Sequence, residues 1–345
     1  MHKAALAIVF QTLLLFWIAP SYGQPVGSGY HIIDSLRLGG EGGWDYLSVD
    51  TASQRLFISR SSRVQVVDLV KRSVIGEIPH TPGVHGIALA HQEGRGYISN
   101  GRDSSVTVFD LTTLKTISTI RIGARNPDAI LYDGASGRVF TFNGGSSNAT
   151  AIDVQSDTVV GTVELDGKPE FAVSDGEGRI YVNLEDKSEL TVFDSRKLKV
   201  LKTSSLAPGE EPTGLAIDRD HQRLFAGCAN RLMVILDASS GGVVTTVPIG
   251  TGVDGTAFDP ATQLAFSSNG EGTMTVIREE TPRKFSVVEN IMTKRGARTL
   301  TVDEKTHRIY TVSATFGPPP PPTPDRPRPR PTIEPESVTL YTIGR

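Results

Sequence analysis

Short apolar runs rich in β-branched and aromatic residues recur along the chain, and Gly, Ser, Asp and Pro fill the joints between them. Such runs read as strands and such joints as turns. Outside the N-terminal segment no apolar spacing of i, i+3, i+4 and i+7 persists over three turns, so an all-β chain is expected. The runs fall into a repeated pattern. A strand ends in Asp, a turn follows, a second strand opens with Arg plus an aromatic, and a third strand ends in Asp. The first landmark recurs at Asp50, Ala90, Asp133, Asp175, Asp218, Asp259 and Asp303, at intervals of 40 to 44 residues. The second recurs at Asp68, Asp110, Asp153, Asp194 and Asp237, with Arg278 in the sixth place. A period of about 40–45 residues with four short strands per unit marks a β-propeller blade, and seven units predict a seven-bladed ring.

The pattern places blades at about 42–79, 80–123, 124–167, 168–210, 211–252, 253–294 and 295–345. In the first, strands are expected over Asp45–Asp50, Gln54–Arg60, Arg63–Leu69 and Val74–Ile78. The last copy lacks a clear fourth strand, whereas residues 30–38 form a strand-like run outside every repeat. That run is expected to complete the seventh blade as its outer strand, which leaves no open edge in the ring. A length of 345 residues alone would suggest about two domains, but a propeller closes as one. Arg55, Arg95, Arg138, Arg179, Arg223 and Arg308 share a column at the start of the second strand, with Gln263 in blade six. A residue repeated in blade after blade points to a structural task, here a guanidinium fork bonded to turn carbonyls. The strand-end Asp residues are expected to accept turn N–H groups.

Residues 1–23 read as a signal peptide. His2 and Lys3 form a basic start, Ala4 to Ile18 an apolar run, and Ser21-Tyr22-Gly23 a small-residue cleavage site before Gln24. The expected mature protein, residues 24–345, is periplasmic or secreted and free of the membrane after cleavage. Without Lys3, 34 basic side chains face 38 acidic ones, a formal charge of −4. No Lys/Arg cluster interleaved with aromatics appears, which argues against a nucleic-acid partner and against adhesion to an anionic membrane. Cys228 is the one cysteine, so no internal disulfide can form and no haem is expected through a cysteine pair. It reads as a small buried residue rather than a nucleophile.

Tyr97-Ile-Ser-Asn100, Phe140-Thr-Phe-Asn143 and Tyr181-Val-Asn183 look like variants of a Tyr-Val-Thr-Asn strand end. Val108-Phe-Asp110 and Val192-Phe-Asp194 match the third strand that accompanies it. Over nearly the whole mature chain the repeats resemble the YVTN family of β-propellers. Pro127-Asp-Ala-Ile-Leu131, Pro169-Glu-Phe-Ala-Val173 and Arg295-Gly-Ala-Arg-Thr299 look like its exported YncE-like members. The resemblance implies the propeller fold. It implies no single activity, because the wider superfamily mixes lactonase-like, electron-transfer and surface-binding proteins.

In a propeller the innermost strand of each blade begins near the mouth of the central channel. The residue five places before each first landmark therefore marks a ring: Asp45, His85, Asp128, Glu170, Thr213, Asp254 and Arg298. Six of these seven are ionisable, whereas a structural column would repeat one residue. This ring is the expected ligand-binding site, and Trp44 beside Asp45 is a candidate stacking surface. Several arrangements are open to it. Converging carboxylates raise one another's proton affinity or recruit a cation. His85, Asp128 and Glu170, from consecutive blades, could hold one divalent metal ion with open positions. His85 could instead act as a general base while Arg298 holds an anionic group. In the plainest arrangement Arg298 pairs with Asp254 and Asp45, and water fills the rest.

The expected function is therefore an exported module that binds a small polar or cationic ligand, or a protein partner, at an acidic mouth. The alternative is a metal-assisted lactonase-like hydrolase or lyase using the same ring. No nucleophile elbow, phosphate loop or Cys/His metal signature is present, so no catalytic residue is assigned. A monomer is the expected unit. Asn100, Asn143, Asn183 and Asn269 read as turn residues rather than a second ligand layer. His31, His80, His91, His221 and His307 read as surface histidines. A Pro-rich insertion at 317–332, carrying Arg326, Arg328 and Arg330, interrupts the last blade as a polyproline-II stretch. Connections from second to third strand emerge on the ring's face, so an inward lean would set these arginines against the carboxylates.

Overall fold

The computed structural model describes residues 27–323, 329 and 331–345. Among them, 28 strands form seven four-stranded antiparallel sheets, the blades of a propeller, and two three-residue 3₁₀ turns are the only helix. The expected signal peptide and the arginines at 326, 328 and 330 lie outside the described residues. No helix among the described residues is long and apolar enough to cross a membrane.

Blades one to six each use four consecutive strands. The seventh uses Leu300–Asp303, Arg308–Ser313 and Thr339–Gly344, and its outer place is filled by His31–Arg37 from the other end of the chain. The closing pair is antiparallel, with Leu36 opposite Leu340. Arg345 lies over the Tyr30 ring at 4.8 Å, a cation–π contact beside the seam. The expected ring closure is therefore what the chain adopts, and every blade has a neighbour on both sides.

The core lies between blades rather than within one. Phe140 and Phe142 of blade three share a cluster with Ile180, Val182 and Phe193 of blade four, and all five are fully buried. Phe57 meets Phe109 across blades one and two at 5.6 Å, and Phe225 stacks on Phe258 across blades five and six at 5.0 Å. Burying such a side chain contributes about 1.5–3 kcal/mol. One blade alone could cover neither of its faces.

Hydrogen bonds then fix the order of the blades. The Arg column does reach turn carbonyls, but those of the next blade: Arg55 donates to Leu111 O at 2.8 Å, Arg138 to Ser195 O at 2.7 Å and Arg223 to Pro282 O at 2.6 Å. Tyr181 fills the same role for blade four, donating to Ala238 O at 3.2 Å. The strand-end Asp residues accept turn N–H groups as expected, Asp50 from Ala52 and Ser53. Some also bind the adjacent blade: Ser174 donates to Asp133 at 2.7 Å, and Gln54 to Asp303 at 3.1 Å.

A buried guanidinium secures the segment that joins the closing strand to blade one. Arg60 is 0 % exposed and donates to the carbonyls of Gly39, Gly40, Glu41 and Gly42 and to Gln65 Oε1. Gly39, Gly40 and Gly42 take positive φ there, which directs their carbonyls onto one cation. Burial lowers the Arg60 pKa to about 10, with Arg63 adding to the effect, so the side chain stays charged at neutral pH. Arg60→Met keeps the bulk but strands these acceptors. It is expected to lower unfolding stability by about 3 kcal/mol. Chemical denaturation is the check, and a loss below about 0.5 kcal/mol would show that the loop holds without its cation.

Candidate functional site

All seven ring residues line one cavity of about 270 Å³ at the channel mouth, together with Tyr46, Phe171 and Glu185. The backbone explains why they converge. In blades two to six the innermost strand carries a register shift at the ring position, between Val84 and Ile87, Pro127 and Ile130, Pro169 and Ala172, Pro212 and Leu215, and Val253 and Gly255. A bulge of this kind re-aims a side chain that regular pleating would point elsewhere. In blades one and seven the strand begins only at Leu47 and Leu300, just past Asp45 and Arg298.

Preceding blades then hold these positions through side chain to carbonyl bonds. Ser99 donates to Asp128 O at 2.5 Å, Thr299 to Asp45 O at 2.8 Å, and Ser268 to Arg298 O. Small residues let neighbouring inner strands approach. A Cβ on Gly214 would lie 2.7 Å from Thr256 N, and one on Gly255 2.8 Å from Leu300 N. The ring is rigid because its backbone is part of the blade-to-blade contact.

Charge in the cavity is unbalanced. Five carboxylates, those of Asp45, Asp128, Glu170, Glu185 and Asp254, line it with Arg298 and His85. Arg298 lies 2.6 Å from Asp254 and 3.5 Å from Asp45, the pairing that the sequence allowed. Lys168 is shared between Glu170 at 2.6 Å and Glu185, so it neutralises only one of the two. Burial raises the Asp254 pKa to about 6 against the opposing pull of Arg298. Burial and the charge of Asp128 raise that of Glu170 to about 7 despite Lys168. Asp128 is raised too, by burial first and by Asp45, with His85 opposing. For His85 burial favours the neutral ring, but the hydrogen bond to Asp45 and the charges of Asp128, Asp45 and Glu170 outweigh it and raise its pKa.

His85 Nδ1 lies 2.6 Å from Asp45 Oδ2 and 3.5 Å from Asp128 Oδ1. One ligand atom from each of Asp45, His85 and Asp128 falls within 4.8 Å of the others, so this trio has the convergence a divalent ion needs. Glu170 was expected to complete such a set and does not belong to it. Its carboxylate is turned to Lys168. Asp45, from the adjacent blade one, takes its place.

Trp44 does not line the ring cavity. It faces a separate apolar cleft of about 320 Å³ with Phe316, Pro331 and Ile333, its ring 6.1 Å from that of Phe316, and Arg298 borders both spaces. Phe316 and Ile333 form an antiparallel bridge at the base of the Pro-rich insertion. The insertion therefore springs from the ring's side of the propeller, as strand geometry requires.

Three lining residues escaped the sequence reading, although each breaks a column. Tyr46 and Phe171 stack at 5.5 Å where the other blades carry Gly86, Ala129, Gly214, Gly255 and Thr299. Glu185 stands where others carry Gly101, Gly144, Ala229 and Gly270. The four Asn residues are structural. Asn100, Asn143, Asn183 and Asn269 are fully buried. Asn100 donates to Ser105 and Thr107 of its own blade, while Asn183, one place earlier in its strand because Leu184 holds the column, donates to Gly214 O of the next. Cys228 is buried, which pushes its thiol up to about 12. Among the histidines read as surface residues, two are held closely by carboxylates: His307 Nδ1 lies 2.9 Å from Asp259, and His221 contacts two, at 2.8 and 3.0 Å.

Among solved structures, a chain in the crystal structure of the mitotic checkpoint complex matches with a TM-score of 0.75 at 12% identity, covering 97% of this chain and 99% of that one. Solved chains that match number 1882, so the architecture is a common scaffold that selects no activity by itself. No protein-family model matches the chain, and no curated protein matches it either. The likeness establishes the propeller fold alone.

A carboxyl whose native pKa lies above its unfolded value of about 4.3 binds more protons when folded, so its charge costs stability as pH rises from about 4 to 7. The cost of Glu170 is fully present above its native value of about 7. Glu170→Gln is therefore expected to stabilise the protein by about 1–3 kcal/mol near pH 8 and to change little near pH 4. Melting curves across that range test this, and equal effects at both ends would contradict the electrostatic reading.

Proposed function

We propose that the chain is an exported YVTN-type propeller, akin to the YncE-like group, that binds a small cationic ligand at the mouth of its channel. The observation that carries the reading is the excess of carboxylates in one concave space, with three of them pushed toward protonation. A protonated amine would supply the missing positive charge, and each carboxylate would then favour its ionised form. The stacked Tyr46 and Phe171 rings offer the amine an electron-rich wall. A cavity of about 270 Å³ fits a molecule of a few carbons rather than a folded partner. Export rests on residues 1–23, and fractionation that found the protein uncleaved in the cytosol would remove that part of the reading.

Calorimetric titration with a diamine such as putrescine and with choline tests the ligand class. Affinity is expected to fall at least about 10-fold from about pH 8 to about pH 5, because Glu170 and Asp254 take up protons over that interval. Glu170→Gln and Asp254→Asn are each expected to weaken binding and flatten the pH dependence. Binding that ignores both pH and these substitutions sinks the proposal.

The Asp45–His85–Asp128 trio favours a second reading, a metal-assisted hydrolase or lyase of the lactonase-like kind. There a divalent ion would sit between blades one, two and three and polarise a carbonyl. His85→Asn would then remove bound metal and lactone hydrolysis together, whereas an amine-binding site would keep part of its affinity.

A further inference from the structure

At the opposite end of blade five the repeat breaks in a second place. Asp218 ends the innermost strand Pro212–Asp218, about 15 Å along it from the ring residue Thr213. In blade six the residue after the third-strand landmark is Glu279. Its column reads Leu69, Leu111, Val154, Ser195 and Ala238 in blades one to five and the exposed Arg345 in blade seven, so Glu279 is the one acidic member and the one buried charge. The backbone role of the column is unchanged, since Glu279 N donates to Gln263 O just as Ala238 N donates to Gln222 O. Only the side chain is new. The third strand is also longer here, Thr273–Thr281, and carries a bulge between Glu279 and Thr281.

Glu279 is 5 % exposed and Asp218 1 %, yet neither oxygen of Glu279, nor Oδ2 of Asp218, accepts a hydrogen bond among the described residues. The other oxygen of Asp218 is occupied, accepting the Asp220 N–H at 3.0 Å. The free oxygens face one another and one nitrogen. His221 Nδ1 lies 2.8 Å from Asp218 Oδ2 and 3.0 Å from Glu279 Oε1, and its side chain is 38 % exposed. One ring nitrogen carries one proton at most, so it cannot satisfy two carboxylates. No Lys or Arg ion pair reaches either acid among the described residues. Two buried carboxylates without a full counter-charge are costly.

The spacing suggests what completes the site. Ligand atoms about 2.1 Å from an ion lie about 3.0 Å apart on an octahedral edge and about 3.4 Å apart on a tetrahedral one, so the two measured separations fit a six-coordinate ion. The geometry points to a divalent transition-metal site formed by Asp218, His221 and Glu279 at the seam of blades five and six, with His221 on the solvent side. One imidazole nitrogen with two carboxylate oxygens suits Zn²⁺ or Mn²⁺ better than the all-oxygen ions Ca²⁺ and Mg²⁺. Because ligands come from both blades, the ion would tie the seam together. This site is independent of the ligand proposed for the mouth.

Purified protein residues 24–345, never exposed to chelator, is titrated with Zn²⁺ and with Mn²⁺ by calorimetry, and bound metal is counted by mass spectrometry. Wild type is expected to hold one ion at this site and to melt several degrees higher with it. Glu279→Gln and His221→Asn should each lose that ion at least 100-fold in affinity, whereas His85→Asn, at the mouth, should keep it. Co²⁺ absorption in the visible range that His221→Asn abolishes and His85→Asn leaves in place would identify the imidazole as a ligand. His221 is exposed enough for that variant to fold even if Glu279→Gln does not. Absence of bound metal, or metal that survives both lower-site substitutions and vanishes in His85→Asn, overturns the assignment.

Discussion

The protein depends on one contact repeated from blade to blade, the bond from the second strand of each of blades one to five to a turn carbonyl of the next. Arg55, Arg138 and Tyr181 make it at 2.7 to 3.2 Å, each in a different blade. Apolar burial supplies most of the driving force, but it is nondirectional. The bridges set the angle and register at which blades meet, and the strand His31–Arg37 lets the circle end where it began. A chain with no disulfide needs such closure, because an open array would leave a sheet edge and an uncovered blade face.

Closure also determines the electrostatics of the mouth. Inner strands are brought together by interblade packing whether or not their first residues repel each other. Ser99, Ser268 and Thr299 fasten those residues by their carbonyls, so repulsion cannot be relieved by backbone movement. It adds instead to burial, the larger cause, in raising the proton affinity of Asp128, Glu170 and Asp254. The fold thus holds charge that the ring would disperse if it were flexible, and a bound cation is the natural way to release it.

The blade pattern was legible because its physical demands recur. Most blades use strands of similar length, an Asp at the turn and an Arg at the start of the second strand, so seven noisy copies reinforce one signal. The ring was legible for a related reason: its position is fixed by counting back from Asp50, Asp133 or Asp218, and all seven residues counted in this way share one cavity. What counting could not give is direction. Nothing in the sequence near Trp44 says that its ring turns to Phe316 rather than to Asp45, since that depends on an insertion some 270 residues away. Nor could it pair Glu170 with Lys168 in preference to the metal-like trio, because Lys168 precedes the strand and its reach depends on the loop.

In a repeat protein with no motif of its own, activity belongs where a blade departs from its column. A residue that follows its column is explained by the contact every blade must make. A residue that departs from it has been freed from that task or set against it, and needs another explanation. Tyr46, Phe171 and Glu185 depart at the mouth, while Glu279 departs at the seam of blades five and six, where it buries a charge in a position that holds Leu, Val, Ser or Ala in blades one to five. A buried acid in a column of small and apolar residues weakens the interface unless something binds it. In this protein the strongest evidence for chemistry lies in the places where the structure would be more stable without it.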